Sequence, residues 1–225
     1  MYKTETHLHV SEVSPCARVC AADIVKLYHE AGYKTLIVSD HFQQGYFATL
    51  GDISWDEKVD RFLSGYKAVK AAAEKVDMNV ILSAEFRLCD SCNHYLLFGI
   101  DEAFLKSRPD VLDMTIETFY PYVKEHGITV VQAHPYRDNC CKPTPGFTDG
   151  FEVYNSNPRH ENFTQESVEM ARLCKKPMTA GSDTHRLEDI ALSGVMTEKE
   201  IRTADDYVCA LLRGELKMIM GDTDL

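Results

Sequence analysis

Gly127-Ile128-Thr129-Val130-Val131-Gln132-Ala133-His134-Pro135 is the stretch on which the architecture turns. Ile128–Val131 is a nearly unbroken run of β-branched residues, as expected of a strand covered on both faces. The strand then ends on a histidine. Working outward, similar short apolar runs predict strands over Thr4–Val10, Thr35–Ser39, Val80–Phe86, Tyr95–Ile100, Ile128–Ala133, Gly150–Tyr154 and Met178–Gly181. Longer amphipathic segments between them predict helices over Ala21–Ala31, Trp55–Val76, Thr115–His126, Asn162–Cys174 and Thr197–Arg213. In the first of these, Ile24, Leu27 and Tyr28 fall at i, i+3 and i+4, and Gly32 supplies the stop. Such alternation predicts an α/β chain whose parallel sheet has crossover helices and is either open or closed into a barrel. No repeat, low-complexity segment or long linker divides residues 1–225, which read as one domain. Asp138–Asp149, with Pro143, Pro145 and Gly146, reads as a loop.

Composition narrows the function classes. The chain has 225 residues, long enough to bury a sizeable core, with 24 Lys+Arg against 35 Asp+Glu and a formal charge of −11. That charge argues against a nucleic-acid partner, because phosphate-backbone binding needs a positive footprint. MYKTETHLHV is not a signal peptide, and no run approaches the ~18 apolar residues of a membrane span. The expectation is therefore a cytoplasmic protein without membrane contact, whose eight cysteines are mostly reduced. Cys89-x-x-Cys92 and the adjacent Cys140-Cys141 lack a second CxxC and read as ordinary loop thiols. Oligomeric state is not legible.

The chemistry sits at the strand ends. The first strand carries His7-Leu8-His9, the second ends in Asp40-His41, and the third in Ala84-Glu85. The fourth opens on His94, the fifth ends at His134, the sixth contains Glu152, and the seventh ends in Gly181-Ser182-Asp183-Thr184-His185. In parallel α/β folds the carboxyl ends of the strands open onto one functional face. Each motif alone is weak: an HxH on a strand is commonly a surface pair, and a strand-end histidine is commonly a hydrogen-bonded structural group. Six of the nine histidines at equivalent positions, with Glu85 and Asp183, are more ligand chemistry than a core needs. Imidazole with carboxylate suits Zn²⁺, Mn²⁺ or Fe. His29 and His126 lie in helical patterns and read as structural, and Trp55 as packing.

In order along the chain, HxH, DH, Glu, His, AHP and GSDxH resemble the PHP (polymerase and histidinol phosphatase) superfamily over residues 5–185. The resemblance implies a distorted (β/α)7 TIM-like barrel holding two or three divalent ions, and phosphoesterase activity. It implies one ion held by His7, His9, Glu85 and Asp183, and a second by Glu85, His94 and His134. A third would sit on His41 and His185 with a ligand from the loop after the HxH. Family members usually place Asp or His there; this loop has neither, and both Glu12 and Cys16 remain candidates. Glu5 stands where the family usually has Asp, and reads either as a group orienting a histidine or as a simple exposed acid at the strand start.

The expected reaction is hydrolysis of a small molecule's phosphate ester, of the histidinol phosphate, nucleotide or phosphorylated-sugar kind. Ions so placed lower the pKa of a bound water and neutralise phosphate oxygens, so no side-chain nucleophile is required. His41 and His185 are candidates to protonate the leaving group where no third ion sits. Arg137 and Arg159 are candidates to grip phosphate through the guanidinium fork, with Asn155 and His160 beside them. A nuclease acting on oligonucleotide ends and a non-catalytic PHP binding module are the alternatives. An amidohydrolase fits the Glu85 and SDxH positions less well.

Overall fold

A computed structural model describes residues 1–88 and 91–221. In chain order its elements are β1 (Tyr2–Leu8), α1 (Ala21–Glu30), β2 (Tyr33–Val38), β3 (His41–Gln43), α2 (Gln44–Thr49), α3 (Trp55–Ala73) and β4 (Asn79–Arg87). β5 (His94–Phe98), α4 (Glu102–Ser107), α5 (Ile116–Glu125), β6 (Thr129–Ala133), β7 (Gly150–Asn155) and α6 (Thr164–Leu173) follow. The chain ends with β8 (Met178–Gly181), β9 (Gly194–Thr197), α7 (Ala204–Leu212) and β10 (Lys217–Ile219). The strands are ordered β10-β9-β1-β2-β4-β5-β6-β7-β8, with β3 beside β4. Leu8 bridges Thr184 just beyond β8, so β1, β2 and β4 to β8 curl into a nearly closed, barrel-shaped sheet.

That closure is made of polar contacts that a buried backbone must satisfy. Thr6 Oγ1 donates to the Ala180 carbonyl at 2.6 Å, and the His9 N–H donates to the Thr184 carbonyl at 3.1 Å. Glu5, buried at the seam, accepts the N–H groups of Thr6, His7 and Ser182 at 2.9, 2.9 and 3.0 Å on Oε1. Its Oε2 accepts from Tyr28 Oη at 2.7 Å. Glu5 thus acts on backbone rather than on an imidazole. Gly181 is also set by the seam: a Cβ there would lie 2.6 Å from both Glu152 Oε1 and His7 Cβ.

Apolar side chains fill both faces of the sheet. Ile24, Tyr28, Leu36, Val38 and Val69 pack β1 and β2 against α1 and α3. Phe42, Phe62, Phe86 and Phe119 pack β3 and β4 against α3 and α5. On the other face Ile37, Leu96, Phe98 and Val131 meet Tyr207 and Leu211 of α7. Thr35 Oγ1 donates to the Ile201 carbonyl and Asn79 Nδ2 to Glu200 Oε1, so the segment entering α7 covers the amino-terminal end of β2 and β4. The opposite mouth gathers the carboxyl ends of the parallel strands. No helix among the described residues is long and apolar enough to cross a membrane.

Three expectations are corrected. The sheet is not all parallel: β5 runs antiparallel to both β4 and β6. The reason is length, because six residues between Arg87 and His94 cannot make a parallel crossover, which needs a dozen or more. The helix expected over Thr197–Arg213 is a strand to Thr197 and then α7. Its true start is a capping box in which Thr203 Oγ1 accepts from the Asp206 N–H at 3.1 Å. The loop cysteines are not all free: Cys92 is disulfide-bonded to Cys140, their Cα atoms 6.1 Å apart. Reversing β5 lays the loop before it against the turn after β6, where Asn93 and Lys142 also exchange hydrogen bonds of 2.8 Å. Cys89 lies outside the described residues.

Candidate metal centre

β1, β4 and β5 carry His7, Glu85 and His94 themselves, while β2, β6 and β8 deliver His41, His134 and Asp183 through the turns that follow them. β5 is the instructive case. Because it is reversed, its first residue, His94, lies at the same rim as the last residues of its neighbours. Two of the rim residues have left-handed backbones, His134 at φ 31° and Asp183 at φ 51°. For non-glycine residues such conformations cost about 1–3 kcal/mol and persist where the surroundings over-determine them. His134 follows directly on β6 and Asp183 stands two residues after β8, each at the turn that ends its strand.

Glu85 is the hub. Its Oε1 lies 2.8 Å from His94 Nδ1, 3.1 Å from His134 Nε2 and 3.4 Å from His7 Nε2. Its Oε2 lies 2.6 Å from His41 Nδ1 and 3.6 Å from His9 Nε2. Asp183 Oδ1 is 3.2 Å from His9 Nε2 and 3.4 Å from both His7 Nε2 and His185 Nδ1. Burial would raise both carboxyls, but His94, His41 and His7 hold Glu85, and Arg137 and His7 hold Asp183, well below the usual carboxylate range. Burial pushes His134 down to about 4, helped by the Arg137 charge. His9 falls well below the ordinary histidine value through burial and the nearby His41 and His185.

The donor set fits divalent ions. His7, His9 and Glu85, then His41, Glu85 and His94, then His9, His41 and His185 each converge ligand atoms within 4.8 Å of one another. His41 Nδ1 and Glu85 Oε2 are close yet not aligned as a hydrogen bond, and His134 Nδ1 is buried with no partner. Buried polar atoms in such a state are rare unless a further group satisfies them. Around the donors, Glu152 Oε1 accepts from His7 Nδ1 at 2.9 Å, which turns His7 Nε2 into the mouth. Glu152 Oε2 also accepts from Asn155 Nδ2 at 2.9 Å. Sequence reasoning placed Glu152 on its strand without a role; its signal is an acid in an otherwise apolar buried strand.

The loop after β1 separates the two candidates for the third position. Glu12 Oε1 accepts the Ala21 N–H at 2.9 Å and so caps α1. The Cys16 thiol is instead tuned by His41 and His185: burial would raise it, but these two histidines bring it down to about 6. The two arginines are already engaged. Arg137 donates through Nη2 to Asp183 Oδ2 at 2.7 Å and Asn155 Oδ1 at 2.8 Å, and through Nε to Asn162 Oδ1 at 3.0 Å. Arg159 forks onto Asp189 at 2.8 and 2.5 Å, and Asp189 Oδ2 accepts the N–H groups of His185 and Arg186. Arg159→Ala, which strips two charged bonds from buried Asp189, is expected to cost about 2 kcal/mol, lowering Tm by about 4–8 °C in a thermal melt. His160 bonds Asp138 at 2.7 Å, and His126 donates to the Tyr122 carbonyl at 2.9 Å, both away from the cluster.

Comparison with known proteins agrees with this fold. A family model described as PHP-associated matches residues 162–216. No curated protein matches the chain. Among solved structures, a two-domain protein of Bacteroides vulgatus ATCC 8482, named as containing a predicted PHP-like metal-dependent phosphoesterase, superposes with TM-score 0.70 and 17% identity. The alignment covers 98% of this chain and 65% of that one, so the chain spans just under two thirds of its length. PsfC of Pseudomonas syringae PB-5123 gives 0.68 and 14%, over 98% of this chain and 92% of that one. An inferred metal-dependent phosphoesterase of Bifidobacterium adolescentis ATCC 15703 gives 0.60 and 15%, over 96% and 97%. The chain thus shares the fold of these structures, with its nearly closed barrel-shaped sheet, and its residues 162–216 match a PHP-associated family model.

Proposed function

We propose that the chain is a metal-dependent phosphatase acting on a small phosphorylated molecule. The observation that carries this reading is Glu85, buried and within 3.6 Å of five imidazoles. His7, His9, Glu85 and Asp183 would hold one divalent ion, and Glu85, His94 and His134 a second. His41, His185 and Cys16 would hold a third, where the thiol favours zinc over manganese. Such ions, when bound, supply an activated water and neutralise phosphate oxygens. Arg137 keeps Asp183 Oδ2 occupied and so leaves Oδ1 to face His7 and His9. Arg159 acts at one remove, through Asp189, on the backbone that carries His185. The acidic surface suits a small substrate better than a polymer, and a cytoplasmic setting fits the free thiols.

The test is a screen of chelated protein against monophosphates and short oligonucleotides, with Zn²⁺, Mn²⁺, Fe²⁺ or Mg²⁺ restored. Phosphate release from a small monophosphate is expected to fall by about 10²-fold or more on chelation and to return with metal, since an ion supplies several kcal/mol. Turnover confined to oligonucleotides makes the chain a nuclease. Metal occupancy by elemental analysis without any turnover makes it a binding module.

A further inference from the structure

We propose that the Ser14 hydroxyl, anchored on Asp40, is the positioning group that fixes His9 with its proton on Nδ1 and its Nε2 lone pair in the cluster. A serine hydroxyl has one proton to give and two lone pairs to receive with. Ser14 Oγ lies 2.7 Å from Asp40 Oδ1, its shortest contact, and must donate there. Asp40 Oδ1 already accepts the Val10 N–H at 3.0 Å, while Oδ2 is buried without a hydrogen-bond partner. A proton on this carboxyl therefore resides on Oδ2, and Ser14 donates to Oδ1 in either state. The remaining neighbours of Ser14 Oγ are the His41 N–H at 3.3 Å and His9 Nδ1 at 3.4 Å. With its one proton spent, Ser14 accepts from both, and His9 Nδ1 carries the hydrogen.

The consequence lies on the other side of the ring. His9 Nε2 then presents a lone pair 3.1 Å from His7 Nε2 and 3.2 Å from Asp183 Oδ1. Glu152 sets His7 in the same sense through its own Nδ1. Two carboxylates thereby meet two nitrogens, each turned into the mouth by a partner behind it. One partner is an acid and the other is a hydroxyl backed by an acid. Ser14 also receives the His41 N–H, so one hydroxyl ties the loop carrying Cys16 to two of the histidines.

This inference rests on the metal-centre reading only for its effect on affinity. The experiment uses the full chain with ¹⁵N-labelled histidine, stripped of metal, read by long-range ¹H–¹⁵N spectra, with His9 assigned through His9→Gln. The wild type is expected to show His9 protonated on Nδ1 and bare on Nε2. Ser14→Ala is expected to populate the opposite tautomer and to weaken zinc binding, followed by competition with a chromophoric chelator, by about 10- to 100-fold. Ser14→Thr restores both. His7, held by Glu152, keeps its Nδ1–H throughout and reports that the fold is intact. A wild-type proton on Nε2, or a His9 spectrum unmoved in Ser14→Ala, overturns the assignment. A wild-type chain that takes up no zinc overturns the metal centre instead, and the nitrogen spectra still decide Ser14.

Discussion

Glu85→Gln is expected to abolish turnover, by about 10³-fold or more, and to empty the centre of metal as read by elemental analysis after dialysis. The amide keeps the volume and one oxygen, so packing is not the cause. What disappears is the carboxylate shared among His7, His9, His41, His94 and His134. A loss of 10³ corresponds to about 4 kcal/mol, the scale expected when charge stabilisation by an ion is removed. The amide NH₂ also brings donor hydrogens into a space built from acceptors. His160→Gln, on a histidine paired with Asp138 outside the cluster, is the matched control and should leave metal content unchanged. Full occupancy in Glu85→Gln would remove the shared carboxylate from the centre.

Gly181→Ala should strike stability. The added Cβ would meet Glu152 Oε1 and His7 Cβ at 2.6 Å and Thr6 Oγ1 at 3.0 Å, where β8 docks on β1. None of these is the free end of a flexible side chain: Glu152 is held by His7 and Asn155, and Thr6 by the Ala180 carbonyl. Overpacking of this kind costs about 1–3 kcal/mol, so a fall in Tm of about 3–10 °C is expected by calorimetry. Gly146→Ala, whose Cβ would meet nothing within 4 Å, should stay within about 0.5 kcal/mol of wild type. Equal melting of the two variants would mean that the seam is not tightly closed.

The elements with strong local signals were legible. Short apolar runs marked the ring strands within a few residues, and the histidines and acids at their ends converge on the mouth. His94 was placed at a strand start, yet what brings it to the rim is the reversal of β5, a consequence of linker length rather than of residue type. α7 was misjudged because apolar periodicity continues upstream of Thr203, and only the Thr203–Asp206 box marks the true beginning. Glu152 and Ser14 illustrate a different limit. Their roles depend on partners 145 and 26 residues away: an acid in an apolar strand singles out Glu152 but not its partner, and no local pattern singles out Ser14. The Cys92–Cys140 bond, across 48 residues, is of the same kind.

The reversed β5 also bears on the order in which the centre can assemble during folding. Glu85 and His94 are 9 residues apart and meet as soon as the β4–β5 hairpin forms, and His134 joins across 49. Contacts of short sequence separation form early, since little chain entropy must be lost to make them. The His7–Glu152 and Thr6–Ala180 contacts span 145 and 174 residues and must wait for the last strand of the ring. In a chain folding as it leaves the ribosome, Glu85, His94 and His134 can therefore meet before Asp183 and His185 have been synthesised, while the HxH, already made, waits for the last ring strand. Cation capture by these three would act as a folding nucleus, onto which the HxH and SDxH segments close.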